Sequence, residues 1–251
     1  MKKIIAGNWK MNGSVEETKS LIAALIAGIG ASTAVDVIVC PPFPYLSVAS
    51  DALKNTVLYL GAQDVSAHVK GAYTGQVSGA MLVDMHCQYT LVGHSERRQY
   101  CAELDDVVAA KFLAAMRAGL RPLLCVGETL EERQSHQMES VVRRQLEAVF
   151  NLGGKDVFAG ALVAYEPVWA IGTGLSATPE EVEQMHAFIR SVLVGFHPNQ
   201  VRLTPILYGG SVKSDNVSAL LQLPNVDGCL VGGASLVASE FLKICERAYS
   251  Q

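Results

Sequence analysis

The chain has 251 residues, of which half are hydrophobic and 18% are charged, and its formal net charge is −4. This length and composition suit one sizeable core, since α/β barrels of about 250 residues commonly form a single domain. The charge argues against a nucleic-acid surface, which would show clustered Lys and Arg, but it allows a local basic pocket for a small anion.

Eight short apolar runs have the composition of buried strands. They are rich in Val, Ile, Leu and Tyr and lack polar alternation, which is typical of parallel strands covered on both faces. The predicted strands are Lys3–Asn8, Val35–Cys40, Val57–Ala62, Gln88–Gly93, Arg121–Val126, Gly160–Tyr165, Leu203–Tyr208 and Val226–Val231. Segments with helical spacing lie between or after them, at Ser14–Gly28, Glu103–Ala118, Leu130–Phe150, Pro179–Val194 and Leu236–Tyr249.

Two of these helices carry start signals. Ser14 with Glu17 has the spacing of a capping box, and Pro179 follows Thr178 directly. Eight β-then-α units without a linker predict an α/β fold, a single-domain (β/α)8 barrel spanning residues 1–251. A doubly wound open sheet is the structural alternative, but it usually has fewer strands, and no Gly-x-Gly-x-x-Gly follows the first strand.

Targeting and redox signals are weak. The apolar run after Lys3 stops after four residues, and the longest apolar stretch, from Leu21 to Ala31, is far below the roughly 20 residues that span a bilayer. The six cysteines are widely and irregularly spaced and form no Cys-x-x-Cys pair, so we expect reduced, structural thiols. The sequence predicts a soluble, cytoplasmic protein with no membrane or nucleic-acid partner.

The residues suited to chemistry follow the predicted strands. In parallel α/β folds, active sites form where the C-terminal ends of strands meet their loops. The residues found there are Asn8, Trp9, Lys10, His94, Ser95, Glu96, Glu128, Glu166, Gly209, Gly210, Ser211, Gly232 and Gly233. Their segregation predicts one shared mouth.

Glu166 ends the sixth predicted strand and precedes a segment suited to be a lid. Pro167 stiffens the exit from the strand, whereas Gly172 and Gly174 let the far end rotate. An isolated glutamate would ordinarily be a solvated surface residue. The layout of the other strand ends favours a base that works under a closing cover.

Two Gly-Gly turns follow the last two strands, at Gly209–Gly210 and Gly232–Gly233. A single such pair is more often a tight turn, but two on neighbouring strands favour a phosphate site built from bare backbone N–H groups. Lys10 could hold the substrate anion, although a surface lysine is the ordinary alternative. His94 precedes a helical turn, which disfavours its protonated form, and a neutral imidazole can still donate a hydrogen bond to a carbonyl.

No cluster has metal-ligand spacing, so no metal is expected. A carboxylate base, a neutral electrophile, a lysine, a phosphate site and a lid suit proton abstraction next to a carbonyl. The product of that step is an enediolate that needs charge stabilisation and shelter from water.

Five segments resemble the triosephosphate isomerase family: Gly7–Gly13, Gly93–Arg98, Ala164–Gly174, Tyr208–Val212 and Val231–Leu236. The resemblance implies Glu166 as base, His94 as electrophile, and Lys10 with Asn8 binding substrate. It also implies a phosphate held by Gly172, Ser211, Gly232 and Gly233. The implied reaction interconverts dihydroxyacetone phosphate and D-glyceraldehyde 3-phosphate, a small phosphorylated triose pair, in glycolysis and gluconeogenesis without a cofactor.

The resemblance also implies a homodimer. The loop from Gly71 to Gly79 is similar to the family's interdigitating loop, with Thr74 near the partner's site. Two residues depart from the family's pattern: Leu175 stands where many relatives have Lys, and Asp64 stands where Asn is usual. The first bears on lid movement, and the second places a charge near the expected interface.

Two other functions fit parts of the sequence. Another phosphosugar enzyme, such as an epimerase or an aldolase-like lyase, could use the same barrel, but many epimerases need metal ligands and barrel aldolases need a buried Schiff-base lysine, which the strands lack. A catalytically inactive phosphometabolite-binding or scaffold protein would show loss of Glu166 or His94, and both are present.

Overall fold

The computed structural model describes residues 2–172, 176–196 and 204–249. Eight parallel strands form a closed barrel in sequence order, so the predicted fold class is confirmed. The strands are β1 (Ile4–Asn8), β2 (Asp36–Cys40), β3 (Tyr59–Ala62), β4 (Tyr89–Val92), β5 (Arg121–Val126), β6 (Leu162–Tyr165), β7 (Ile206–Tyr208) and β8 (Gly228–Val231). All eight lie within the predicted runs.

Pairing of the first and last strands closes the barrel. In β1, Ile5 is in register with Val37 of β2 on one side and with Cys229 of β8 on the other. Among the residues that the structure describes, the barrel therefore has no free sheet edge, and each of its strands is hydrogen-bonded on both sides.

Two apolar layers explain why the strand sequences lack polar alternation. Ile4 and Ala6 of β1 belong to the cluster inside the barrel, whereas Ile5 belongs to the larger cluster between the barrel and its helices. Successive side chains of a strand point to opposite faces, and here both faces are covered. Uniformly apolar strands are the result.

The helices that surround the barrel are more numerous than the sequence predicts. They are α1 (Val15–Ile29), α2 (Leu46–Leu53), α3 (Gly79–Asp84), α4 (Ser95–Tyr100), α5 (Asp105–Arg117), α6 (Leu130–Gln134), α7 (Met138–Gly153), α8 (Pro179–Phe196), α9 (Val217–Leu221) and α10 (Ala238–Tyr249). The short helices α2, α3 and α9 were not predicted, because each is too brief to show a helical period.

One predicted helix, Leu130–Phe150, is wrong as a continuous element. The chain breaks between α6 and α7, where His136 has a φ of 56°. The break lacks the glycine or proline that would signal it. The predicted helix Leu236–Tyr249 also starts late, because residues 233–236 form a 3-10 turn.

The helix caps partly match expectation. The Ser14 hydroxyl accepts the Glu17 N–H at 3.2 Å, which is one of the two bonds of a capping box. A capping box with both reciprocal bonds is formed at Thr129 and Glu132. Thr178 and Glu181 exchange such bonds at the start of α8, as the Pro179 signal predicts. In the described part of the chain, no helix is both long and apolar enough to cross a membrane.

His186 of α8 is a fully buried histidine outside the cavity described below. Its Nδ1 lies 3.2 Å from the Asn225 carbonyl oxygen, and its Nε2 has no hydrogen-bond partner among the residues that the structure describes. Burial lowers the pKa of His186 from 6.5 to about 4. The folded protein therefore holds this imidazole in its neutral form at neutral pH.

We expect the free energy of unfolding to fall as the pH drops from 6.5 to about 4. In that window the unfolded chain binds a proton that folded His186 does not, so stability is complete above the window and is lost below it. The contribution is on the order of 3 kcal/mol. Urea unfolding at several pH values should show a shallower acid loss for His186→Phe than for the parent chain. The exposed control His136→Asn should keep the parent slope, and an unchanged slope in His186→Phe would exclude this residue as the cause.

Candidate active site

A cavity of about 250 Å³ lies at the C-terminal ends of the strands. The eight residues to which the resemblance assigns a catalytic or substrate-binding role all line it: Asn8, Lys10, His94, Glu166, Gly172, Ser211, Gly232 and Gly233. The barrel brings these residues together from the ends of β1, β4, β6, β7 and β8 and the segment after β6. Trp9, Ser95 and Glu96, also predicted at the mouth, do not line it.

Glu166 follows β6 and is 2% exposed. Its Oε1 lies 3.0 Å from His94 Nε2, and its Oε2 accepts the Ser95 N–H at 3.0 Å. Burial raises the pKa of Glu166, but His94, the Ser95 N–H and Lys10 outweigh burial and leave the pKa below its ordinary value. Glu166 is therefore ionised at neutral pH.

The glycine after β7 gives Glu166 its space. A Cβ at Gly209 would lie 2.8 Å from Glu166 Cγ, closer than real side-chain contacts come. The Gly209 N–H also donates to the Tyr165 carbonyl at 2.8 Å, which holds the two strand ends together. The Gly-Gly turn thus has a steric reason besides its expected role toward an anion.

His94 caps the start of α4. Its Nδ1 accepts the Glu96 N–H at 3.2 Å, so a neutral ring carries its proton on Nε2, the nitrogen that faces Glu166. Burial lowers the pKa of His94, but the Glu166 carboxylate raises it, and the net pKa lies above its ordinary value. The sequence predicted only that the helix start lowers the pKa of His94, because Glu166, which raises it, lies 72 residues further along the chain.

Lys10 is held at both its backbone and its side chain. Its φ of 53° is unusual for a residue with a side chain. The Lys10 N–H donates to Asn8 Oδ1 at 3.0 Å, and its carbonyl accepts the Gln63 amide at 2.8 Å. The ammonium lies 2.5 Å from Glu96 Oε1. Sequence reasoning assigned no role to Gln63 or Glu96, since neither pairing has a sequence signal.

The glycines after β8 leave room beside this ammonium. A Cβ at Gly232 would lie 3.4 Å from Lys10 Cε and 3.9 Å from Nζ. The Ser235 hydroxyl donates to the Gly232 carbonyl at 2.7 Å, which fixes the turn. Added carbons at Gly172 and Gly233 would meet none of the described residues within 4 Å. Bare peptide edges and a cation therefore share one end of the cavity, an arrangement suited to an anion.

Glu128 was expected at the mouth, and the structure corrects this. The residue is fully buried and does not line the cavity. Its carboxylate accepts the Trp169 indole N–H at 2.8 Å and the Tyr165 hydroxyl at 3.1 Å, while its carbonyl accepts the Val168 N–H at 3.0 Å. Glu128 thus anchors the first turn of the predicted lid. Thr173, Gly174 and Leu175 lie outside the described residues.

Within the described ranges, no group of three or more His, Cys, Asp or Glu is placed to hold a metal ion. The cavity instead presents an ionised carboxylate, an imidazole and an ammonium within one small volume. Such a set can move a proton at a carbon atom and stabilise the negative charge that develops on a neighbouring oxygen.

Comparison with known proteins places this site in a family. The family model described as triosephosphate isomerase matches residues 3–248. Curated triosephosphate isomerases from Xanthomonas campestris pv. campestris (strain 8004) and Stenotrophomonas maltophilia (strain K279a) are each 53% identical over 247 residues, and that of Thiobacillus denitrificans (strain ATCC 25259 / T1) is 51% identical over 247. Each alignment covers 98% of both proteins. The chain belongs to the triosephosphate isomerase family.

Proposed function

We propose that this chain interconverts dihydroxyacetone phosphate and D-glyceraldehyde 3-phosphate through an enediolate, in glycolysis and gluconeogenesis and without a cofactor. Family membership supports the reaction. The observation that carries it is the buried, ionised Glu166 facing His94 in the cavity that also holds Lys10. An intramolecular aldose–ketose isomerisation needs a base, a hydrogen-bond donor and a cation in such an arrangement.

The proposed mechanism assigns one role to each polar side chain. Glu166 removes a proton from the carbon beside the carbonyl and returns it to the adjacent carbon. His94 donates its Nε2–H to the substrate oxygen that gains negative charge, in place of the Glu166 contact seen here. Lys10 and Asn8 bind the substrate, and Lys10 also stabilises the enediolate.

The phosphate group of the triose is assigned to the glycine end of the cavity. The backbone N–H groups of Gly172, Ser211, Gly232 and Gly233 are proposed to bind it, with Lys10 adding a positive charge nearby. Binding energy from this remote group would orient the reacting carbons against Glu166.

A coupled assay of glyceraldehyde 3-phosphate conversion, with and without EDTA, tests the function. We expect rapid, EDTA-insensitive turnover that follows Michaelis–Menten kinetics. Turnover that EDTA abolishes would favour a metal-dependent phosphosugar enzyme on the same barrel. Phosphate binding without turnover would favour the alternative of an inactive binding protein.

Gly232→Val should weaken phosphate binding on the order of tenfold or more, because the branched side chain would occupy the space beside the Lys10 ammonium. The Gly232 φ of −85° lies outside the left-handed region, and far-ultraviolet circular dichroism of the purified variant checks that it folds. Titration calorimetry with inorganic phosphate measures the effect. Gly195→Val is the matched control, because an added carbon at that exposed helical position meets no described residue within 4 Å. Parent-like phosphate affinity in Gly232→Val would remove this glycine from the proposed site.

A homodimer that uses residues 71–79, with Thr74 near the partner's site, is proposed as the assembly. Residues 71–76 of the loop are exposed, and its end is held where the Ser66 N–H donates to the Val77 carbonyl at 2.8 Å. Two apolar side chains are also exposed: Val69, two residues before the loop, at 73%, and Met11, next to Lys10, at 95%. A second copy that covers them would remove apolar surface from water and support Lys10. Sedimentation velocity at several concentrations measures the assembly directly.

Two broader assignments accompany this function. The unbroken barrel supports treating residues 1–251 as one domain. Five of the six cysteines are buried, free thiols, which fits a reducing compartment, and we assign the chain to the cytoplasm.

A further inference from the structure

A buried cluster of four charged side chains lies outside the cavity. It joins Asp64, which follows β3, to Arg97 of α4, to Glu103 before α5 and to Lys111 of α5. Lys111 Nζ lies 2.8 Å from both Asp64 carboxylate oxygens and 2.5 Å from Glu103 Oε1. Arg97 contacts Asp64 Oδ2 at 3.0 Å and Glu103 Oε1 at 2.7 Å. The two carboxylates therefore balance the charge of the two cations. Asp64, Glu103 and Lys111 are each less than a tenth exposed.

The sequence neighbours of this cluster hold Lys10 from two directions. Gln63, next to Asp64, donates its amide to the Lys10 carbonyl at 2.8 Å and to the Cys40 carbonyl at 2.9 Å. Glu96, next to Arg97, binds the Lys10 ammonium at 2.5 Å. The Asp64–Arg97 contact thus ties together the two segments that fix the backbone and the side chain of Lys10.

Lys10 needs such support because its backbone is strained. A positive φ in a residue with a side chain persists only where its surroundings enforce it. The enforcing contact from Gln63 depends on where the chain after β3 lies. That position depends in turn on Asp64, since an unpaired Lys111 in this buried setting would be costly.

We propose that Asp64 is a positioning residue for Lys10, acting through Gln63 on its backbone and through Arg97 and Glu96 on its ammonium. An asparagine at this position would leave Lys111 and Arg97 to share the single charge of Glu103. The carboxylate that departs from the family's usual amide is therefore part of how this chain aims its substrate-binding lysine. The inference rests on the proposed function, because it concerns the substrate contact of Lys10.

A double-mutant cycle with Asp64→Asn and Gln63→Ala tests the proposal. Lys10 binds substrate before and during the reaction, so its misplacement should raise KM and the Kd for inorganic phosphate on the order of tenfold, with a smaller change in kcat. The two substitutions act on one path, so the double variant should be little worse than either single variant. Asp64→Asn combined with Lys111→Met restores charge balance and should recover part of the lost affinity.

Each outcome decides a different question. Asp51→Asn, at the exposed Asp51–Lys54 pair, is the matched control and should leave KM unchanged. Lowered thermal stability in Asp64→Asn with unchanged KM and phosphate Kd would show a merely structural role and overturn the proposal, as would strictly additive effects. If Asp64→Asn fails to fold, Gln63→Ala alone must still raise KM, or the proposal is wrong. Absence of isomerase activity in the parent chain would instead refute the proposed function.

Discussion

Glu166→Asp should lower kcat on the order of a hundredfold, with a much smaller change in KM. The substitution keeps the negative charge but removes one methylene, which draws the carboxylate back from the position where Oε1 meets His94 Nε2 at 3.0 Å. Proton abstraction requires the base to lie within hydrogen-bond reach of the carbon-bound proton. Lys10 and the glycine turns would be unaffected, so the substrate should still bind. Steady-state kinetics of the pure variant measure both constants.

Two further variants sharpen this test. Glu166→Gln keeps the length of the side chain and removes its basicity, so its turnover should fall further than that of the aspartate variant. Glu147→Asp makes the same methylene deletion at a half-buried residue on α7 that does not line the cavity, and should leave kcat unchanged. Near-normal turnover in Glu166→Asp would exclude Glu166 as the base and reopen the choice among the carboxylates.

The barrel was predictable because burial on both faces leaves a mark in every strand. The runs around β1 to β8 are apolar regardless of which layer each residue faces. Their ends were less predictable: Val57 and Leu58 are apolar yet precede β3, because packing also buries residues beside a strand. The break at His136 had no sequence signal, because a residue other than glycine adopts the positive φ there.

The position of a site residue could be predicted where that residue simply follows a strand. Contacts between residues from two different elements could not be predicted. The strand-end rule located Lys10, His94 and Glu166, all of which line the cavity. It could not show that Glu96 binds the Lys10 ammonium, or that the Ser95 N–H binds the Glu166 carboxylate. Those contacts join residues 71 to 86 positions apart and arise only when β1, β4 and β6 come together.

The same limit explains the two corrections at charged residues. Glu128 follows a strand like the others, but Trp169 and Tyr165 draw its carboxylate inward, away from the cavity. The pKa of His94 was expected to be low because of the start of α4, yet the nearby Glu166 carboxylate raises it. In both cases the deciding partner comes from β6 or the segment that follows it.

The lid is the part of the mechanism that a deletion tests most directly. Its first turn is anchored by Glu128, which accepts the Trp169 indole N–H at 2.8 Å, and by the Arg133 guanidinium, 4.6 Å from the center of the Trp169 ring. Ile171 and Gly172 then line the cavity. We propose that a segment anchored at this end closes over a bound phosphate, as the sequence pattern of Pro167, Gly172 and Gly174 predicts.

Deleting residues 170–173 should lower turnover on the order of a hundredfold or more, while Glu166 and His94 stay in place. The deletion removes both the cover and the proposed Gly172 contact with phosphate. An enediolate phosphate open to water can expel its phosphate by cleavage of the carbon–oxygen bond, and the resulting enol becomes methylglyoxal. A larger share of the processed substrate should therefore appear as methylglyoxal and free phosphate, which NMR of the products quantifies.

A control variant that lacks the base separates methylglyoxal formed on the protein from methylglyoxal formed by spontaneous decay of the substrate. Combining the deletion with Glu166→Gln should abolish the extra methylglyoxal, because no enediolate forms on the protein without the base. Leu175→Lys concerns the same step. It should change the rate at which the lid opens and closes more than the rate of the chemical step. If the deletion variant turns over slowly but releases no extra methylglyoxal, the lid positions the substrate and does not protect the intermediate. In that case the segment would act only through the proposed contact of Gly172 with the phosphate. A variant that regained phosphate affinity without regaining the lid should then recover turnover.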